Sequence, residues 1–187
     1  MMQIADEASL IERVAAGEVA AVRVLFALYQ ARVFRFVLRL VGNPAVADEI
    51  TNEVFLEAWK GASNYEGSGS VATWILAIAH HRAVSSLRKT REERWNDEQA
   101  AALADPSDDP EVGAQKADKK AILRRCINAL SPQHKGIIDL VYYHEMSISE
   151  VGEILQIPEG TVKTRMFHAR KRLAELLRQA GIDRGWP

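Results

Sequence analysis

The sequence predicts an all-α protein: two small helical domains joined by a flexible acidic linker, the C-terminal one containing a helix-turn-helix. Three observations lead there. Apolar residues recur at three- and four-residue steps nearly throughout, and no period-two stretch is long enough to argue for a sheet. Charge is segregated although the 187 residues sum to only −1. Residues 1–91 carry 10 basic and 9 acidic groups, residues 92–115 carry 1 and 8, and residues 116–187 carry 13 and 8. Hydrophobic residues make up 48% of the chain, enough for each unit to bury a core. The resulting boundaries are 1–93, a linker over 94–115, and 116–187.

The first apolar stripe is Leu10, Ile11, Val14, Val22, Leu25, Phe26, Tyr29, Val33, Phe34, Val37 and Leu40, and Gly42-Asn43-Pro44 stops it. A second helix runs from about Ala45 to Lys60 with Ile50, Val54, Phe55 and Trp59 inward. The Gly- and Ser-rich run 61–70 is a loop, and a third helix follows from Val71 to Thr90. Pro106, Pro110 and eight acidic groups make 92–115 a mobile linker, with a short helix around Asn96 to Leu103. Helices resume near Lys116, where Ala121, Ile122, Cys126, Ile127 and Leu130 form a stripe. Ser131-Pro132 starts the next, carrying Ile137, Ile138, Val141 and Tyr142 inward. Ser147 with Glu150 reads as a capping box ahead of Ile148, Val151, Ile154 and Leu155. After the turn Gln156-Ile157-Pro158, a last helix runs from Glu159 to about Ala180, with Gly181 as its C′ residue.

The residue content excludes several functions. The single cysteine, Cys126, forms no internal disulfide and reads as a buried thiol. His80 and His81 are adjacent, so on a helix they point about 100° apart; with no cysteine or third histidine near them, no metal site is expected. No nucleotide loop, carboxylate pair or nucleophile triad is present; neither enzymatic activity nor a cofactor is expected. The acidic, polar N-terminal stretch does not read as a signal peptide, no apolar run approaches a bilayer span, and a cytoplasmic location without membrane insertion is expected.

Two short helices joined by about three residues describe the helix-turn-helix at 147–173. On its second helix Val162, Met166, Ala169 and Leu173 step by four, three and four, so they face inward. Lys163, Thr164, His168 and Lys171 then point away together, flanked by Arg165, Arg170 and Arg172. Cations at this density neutralise phosphates, and polar residues near the helix start reach base edges in the major groove. The bland alternative is a solvated basic face on an ordinary helical hairpin.

Residues 157–173, IPEGTVKTRMFHARKRL, resemble the segment with which extracytoplasmic-function sigma factors, compact alternative sigma subunits of bacterial RNA polymerase, read the upstream (minus thirty-five) promoter element. That resemblance implies contacts from Thr161, Lys163, Thr164, Arg165, His168, Lys171 and Arg172. Residues 47–59, ADEITNEVFLEAW, resemble the family's acidic helix, which docks on the clamp helices of the polymerase's largest subunit, and point to Asp48, Glu49, Asn52 and Glu53. Asn52 stands where Gln is usual. Residues 73–92 resemble the helix that opens and reads the downstream (minus ten) element, implying roles for Trp74, His81, Arg82, Arg88 and Lys89. His81 departs from the usual Asn. The loop before it resembles the one that grips the extruded base, which implies that Tyr65 stacks on that base, worth about 1–3 kcal/mol, and that Trp74 supports the strand; either residue reads equally as a core aromatic.

The family also implies promoter DNA and core polymerase as partners, and an anti-sigma factor as inhibitor. The rivals are a free-standing helix-turn-helix repressor, which would have to dimerise on a two-fold operator, and an interaction adaptor that touches no DNA.

Overall fold

The computed structural model describes residues 4–67, 69–100 and 115–182. Among them every regular element is helical: α1 Ile4–Ala15, α2 Val19–Val41, α3 Pro44–Gly61, a 3-10 turn Ala62–Asn64, α4 Val71–Ala100, α5 Gln115–Asn128, α6 Pro132–Tyr142, α7 Ile148–Leu155 and α8 Glu159–Gln179. Helices α2, α3 and α4 pack mutually, with α1 across one end. Helices α6, α7 and α8 form the second group, with α5 against α8. The groups are not separate: α2 lies along α6, and α4 lies along α7.

The starts and stops have local causes. Asn43 accepts from the amides of Ala45 and Val46 ahead of Pro44, which begins α3. Ser131 accepts from the His134 amide, and the Ser147–Glu150 capping box is complete in both directions. Gly42 and Gly181 take φ of 74° and 80°, the left-handed conformation of a C′ residue. Within the helix-turn-helix, Gln156 takes φ 53° and ends α7. A Cβ on Gly152 would sit 3.0 Å from the Ile157 carbonyl oxygen, so the turn folds back tightly on this glycine and a side chain there would push the turn away by a few tenths of an ångström.

Four details differ from the sequence reading. The first apolar stripe is two helices, broken at Gly17 with φ 82°. Within α2, Phe36 is fully buried whereas Phe26 is 38% exposed: the stripe rotates by one position once α3 and α4 cover it. Trp59 and Tyr142, expected inward, are 43% and 42% exposed. Finally, α4 runs on to Ala100 rather than ending at Thr90. Residues 91–100 hold neither Pro nor Gly and are rich in Arg, Glu, Gln and Ala, so helix propensity prevails over charge repulsion. The rest of the expected linker, and of the short helix around Asn96 to Leu103, lies outside the described residues.

Candidate functional site

On α3, burial of Ala47, Ile50, Thr51, Val54, Phe55 and Ala58 against α2 and α4 leaves Asp48, Glu49, Asn52 and Glu53 exposed on one face. The Thr51 hydroxyl, buried among them, is satisfied by the Ala47 carbonyl at 2.7 Å. Leu56 and Trp59 extend the same face and are also exposed, so an acidic strip ends in two apolar side chains.

The loop before α4 is held by its own hydrogen bonds. The Tyr65 hydroxyl donates to the Gly69 carbonyl, and the Thr73 amide donates to the Ser70 hydroxyl at 3.1 Å. The Tyr65 and Trp74 rings meet at 5.0 Å with planes 43° apart. Together with Asn64, Thr73 and Ala77 they line a cavity of about 200 Å³. Both rings are half-buried, so the same geometry meets both roles that the sequence suggests for them, base platform and core aromatic. Burial and the Glu7 carboxylate hold the Tyr65 phenol above its ordinary range.

The other expected α4 residues are distributed differently. Arg82 turns toward α3, with its guanidinium 2.6 Å from Glu57 and 3.6 Å from Glu53. It therefore ties the acidic strip to α4 and stands apart from the Tyr65–Trp74 cavity. All three side chains are about half exposed, and such a pair adds little stability. Arg88 is exposed and 3.9 Å from Glu92 on the next turn; Lys89 is exposed beside it. His81 is exposed, while His80 is half-buried. Burial pushes the His80 imidazole down to about 4, with further depression from His81 and from Arg165 of α8. His80 is thus neutral at pH 7. Among the described residues no group of three or more His, Cys, Asp or Glu gathers as a metal site.

On α8 the inward set is as the spacing requires: Val162, Met166, Ala169 and Leu173 are buried, joined by Leu177. Lys163, Thr164, His168, Lys171 and Arg172 are exposed. Thr161 and Arg165 are half-buried. Lys163 lies 4.0 Å from Glu159, Arg172 lies 3.3 Å from Glu175, and the Thr164 hydroxyl donates to the Gly160 carbonyl. Ser131 and His134, at the start of α6, complete a broad concavity with Arg165, His168, Lys171 and Arg172. Burial and the neighbouring His168 and Arg165 hold the His134 imidazole below its ordinary range.

The sequence reading missed a polar cluster between the two helical groups. Asp139 on α6 has a side chain only 3% exposed; one carboxylate oxygen takes the Arg39 guanidinium of α2, and the other lies 3.1 Å from His144 Nε2. Arg32, also on α2, donates from Nε to His144 Nδ1 at 3.1 Å and from Nη2 to the His144 carbonyl at 2.9 Å. Because Nδ1 accepts, Nε2 carries the proton and donates to Asp139. The Arg39 guanidinium also sits 3.9 Å over the Tyr143 ring, and the edge of Phe36 meets His144. One signal was available: Asp139 is the lone acid in the apolar run Ile137, Ile138, Leu140, Val141. Beside this cluster, Thr73 of α4 bonds Glu150 of α7 at 3.3 Å, and Glu153 lines the Tyr65–Trp74 cavity. The amide of the cap residue Ser147 holds the Glu150 carboxyl below its ordinary range.

Comparison with known proteins sets these surfaces in context. Residues 25–93 match the family described as Sigma-70 region 2, and residues 120–173 match Sigma-70, region 4. The chain is 31% identical over 179 residues to the ECF RNA polymerase sigma factor SigK of Mycobacterium bovis, covering 92% of this chain and 94% of that one. It is 29% identical over 175 residues to SigK of Mycolicibacterium vanbaalenii, covering 90% and 88%. Two solved structures share the fold. One is the sigma factor RpoE with the anti-sigma factor NepR from Bartonella quintana, at TM-score 0.67 and 22% identity, over 87% of this chain and 98% of that one. The other is CnrH with the cytosolic domain of CnrY, at TM-score 0.68 and 17% identity, over 92% and 97%.

Proposed function

The chain belongs to the extracytoplasmic-function (ECF) sigma factors of bacterial RNA polymerase, and from that membership we propose how its surfaces divide the work of starting transcription. It is an alternative sigma factor, a transcription-initiation factor that directs core polymerase to particular promoters. It has no catalytic role of its own and acts in the cytoplasm; among the described residues no helix is long and apolar enough to cross a membrane.

In our reading residues 1–93 hold polymerase and open the downstream element, and residues 116–187 hold the upstream element. Asp48, Glu49, Asn52 and Glu53 dock on the clamp helices of the largest subunit. Tyr65 and Trp74 receive an extruded base, with His81, Arg88 and Lys89 along the adjoining strand. Arg82 is the weakest member of that set, because its guanidinium is engaged by Glu57. At the upstream element Thr161, Lys163, Thr164, Arg165 and His168 face bases near the start of α8, and Lys171 and Arg172 face phosphates.

The observation that carries the reading is the build of α7–α8: a complete capping box, a turn closed on Gly152, and a second helix whose outward face, after Glu159 in its first turn, is basic from Lys163 to Arg172. An anti-sigma factor is the expected inhibitor; the relatives RpoE and CnrH were captured with NepR and with the cytosolic domain of CnrY. Transcription in vitro, with core polymerase and a promoter library, tests the whole assignment. Start sites that appear only when the chain is added are the expected result. DNA binding by the chain alone as a dimer, with no effect on core polymerase, would replace it with the repressor reading.

A further inference from the structure

The polar cluster at the junction of the two helical groups is unlike the rest of the interface. Asp139 is a buried carboxylate whose Arg partner comes from the other group, across the junction. His144 is buried with it and is itself held by Arg32 of α2. A buried charge stripped of its partner is strongly unfavourable, whereas the same charge in water is not. The cluster therefore makes the packed arrangement conditional on both arginines. The packing has a direct effect on the loop–α4 surface. With α2 locked to α6, α7 lies along α4, Glu150 takes the Thr73 hydroxyl, and Glu153 stands at the wall of the Tyr65–Trp74 cavity. A Cβ on Gly69 would be 3.0 Å from the Glu153 carboxylate, so that side chain rests against the loop backbone. Two carboxylates thus stand where a nucleic-acid strand, itself anionic, would have to enter.

We propose that the free chain shuts itself: Arg32 and Arg39 on α2, with Asp139 and His144 of the C-terminal group, form a latch that holds α7 and its two carboxylates over the downstream-element pocket, so the latch has to open before that pocket receives DNA. The inference rests on the assignment of the Tyr65–Trp74 cavity to DNA. Closure needs no partner protein in this scheme. Apparent affinity for DNA falls by the fraction of chains that are open, so weakening the latch raises binding without touching a DNA-facing residue.

Full-length wild type, Arg39→Ala, Arg32→Ala and Arg35→Ala provide the test. Arg35 is a built-in control: it lines the same junction cavity as Arg32 and Arg39, but its guanidinium donates within its own helix, to the Ala31 carbonyl. All three arginines lie on exposed or half-exposed positions of α2, and circular dichroism verifies that helix content is kept. Small-angle scattering reads closure, hydrogen exchange reads protection at residues 69–77, and anisotropy reads binding of a short degenerate single-stranded oligonucleotide. Arg39→Ala is expected to enlarge the particle, to raise exchange at 69–77 about tenfold or more, and to tighten oligonucleotide binding by a similar factor. Arg32→Ala shifts the same readouts in the same direction, and Arg35→Ala leaves them at the wild-type values. Unchanged scattering and exchange in Arg39→Ala and Arg32→Ala would overturn the latch. Equal opening in Arg35→Ala would overturn it in favour of bulk charge. Opening without tighter oligonucleotide binding would leave the latch standing and overturn the assignment of the cavity to DNA.

Discussion

Replacing Lys171 by alanine separates holding DNA from reading it. Lys171 is exposed on the outer face of α8, and among the described residues neither it nor Arg170 forms an ion pair, whereas Lys163 and Arg172 face Glu159 and Glu175. Each phosphate neutralised on B-DNA adds about 0.9 to the slope of log affinity against log salt. With Arg170, Lys171 and Arg172 all on phosphates the slope is about −2.7, so a fourfold rise in salt weakens binding about 40-fold. Lys171→Ala lowers these figures to about −1.8 and about 12-fold, equally for every upstream sequence. Arg165→Ala behaves differently if Arg165 reads a base: preference relaxes at one or two positions, at about 1–3 kcal/mol on the preferred sequence. Fluorescence anisotropy of the holoenzyme on an upstream-element library, at several salt concentrations, measures both. The same sequence-independent loss in the two variants would refute the division of that face.

Three further outcomes are expected. Charge reversal of Asp48, Glu49 and Glu53 together weakens binding to core polymerase while circular dichroism stays unchanged, because these side chains are exposed and the Glu53–Arg82 pair contributes little; undiminished affinity would remove α3 from the docking surface. Ser147→Ala removes the bond to the Glu150 amide and lowers stability by about 1 kcal/mol in denaturant melts, with the loss confined to the C-terminal group. His80 binds its proton near pH 4 in the folded chain but at its ordinary 6.5 when unfolded, so the unfolded state takes up the proton first as pH falls. Its contribution is complete above 6.5 and about 2 kcal/mol of it is gone by about pH 5, and denaturation of His80→Gln at the two pH values flattens that dependence.

Much of the fold was legible because local rules decide it. The Ser131-Pro132 start, the capping box at Ser147 and the four-three-four step of Val162, Met166, Ala169 and Leu173 are short-range, and each stands as read. The misses are places where tertiary cover decides. Phe26 and Phe36 are both apolar positions on α2, and only the placement of α3 and α4 buries one fully and leaves the other partly in water. Trp59 fits the inward spacing of α3 yet ends outside, next to Leu56. For the site, residue types on single helices were readable, so the exposed faces of α3 and α8 carry the expected side chains. Pairings between distant segments were not. Arg82 with Glu57, and Arg39 with Asp139 a hundred residues away, depend on which helices meet. Asp139 among isoleucines was visible as an oddity, but no spacing rule names its partner.

The contact of α7 with the start of α4 makes the same stretch answer to two selections at once. Thr73 and the backbone around Gly69 border the pocket proposed to receive a base, and they also touch Glu150 and Glu153 of the chain's own helix. A substitution there that alters which base is preferred also alters how firmly the molecule rests against itself. Promoter preference and basal silence are then inherited together. A duplicated copy drifting toward new promoters would change its resting activity along the way, and compensating changes would be expected at Glu150, Glu153 or the Asp139 cluster rather than in the helix that faces DNA.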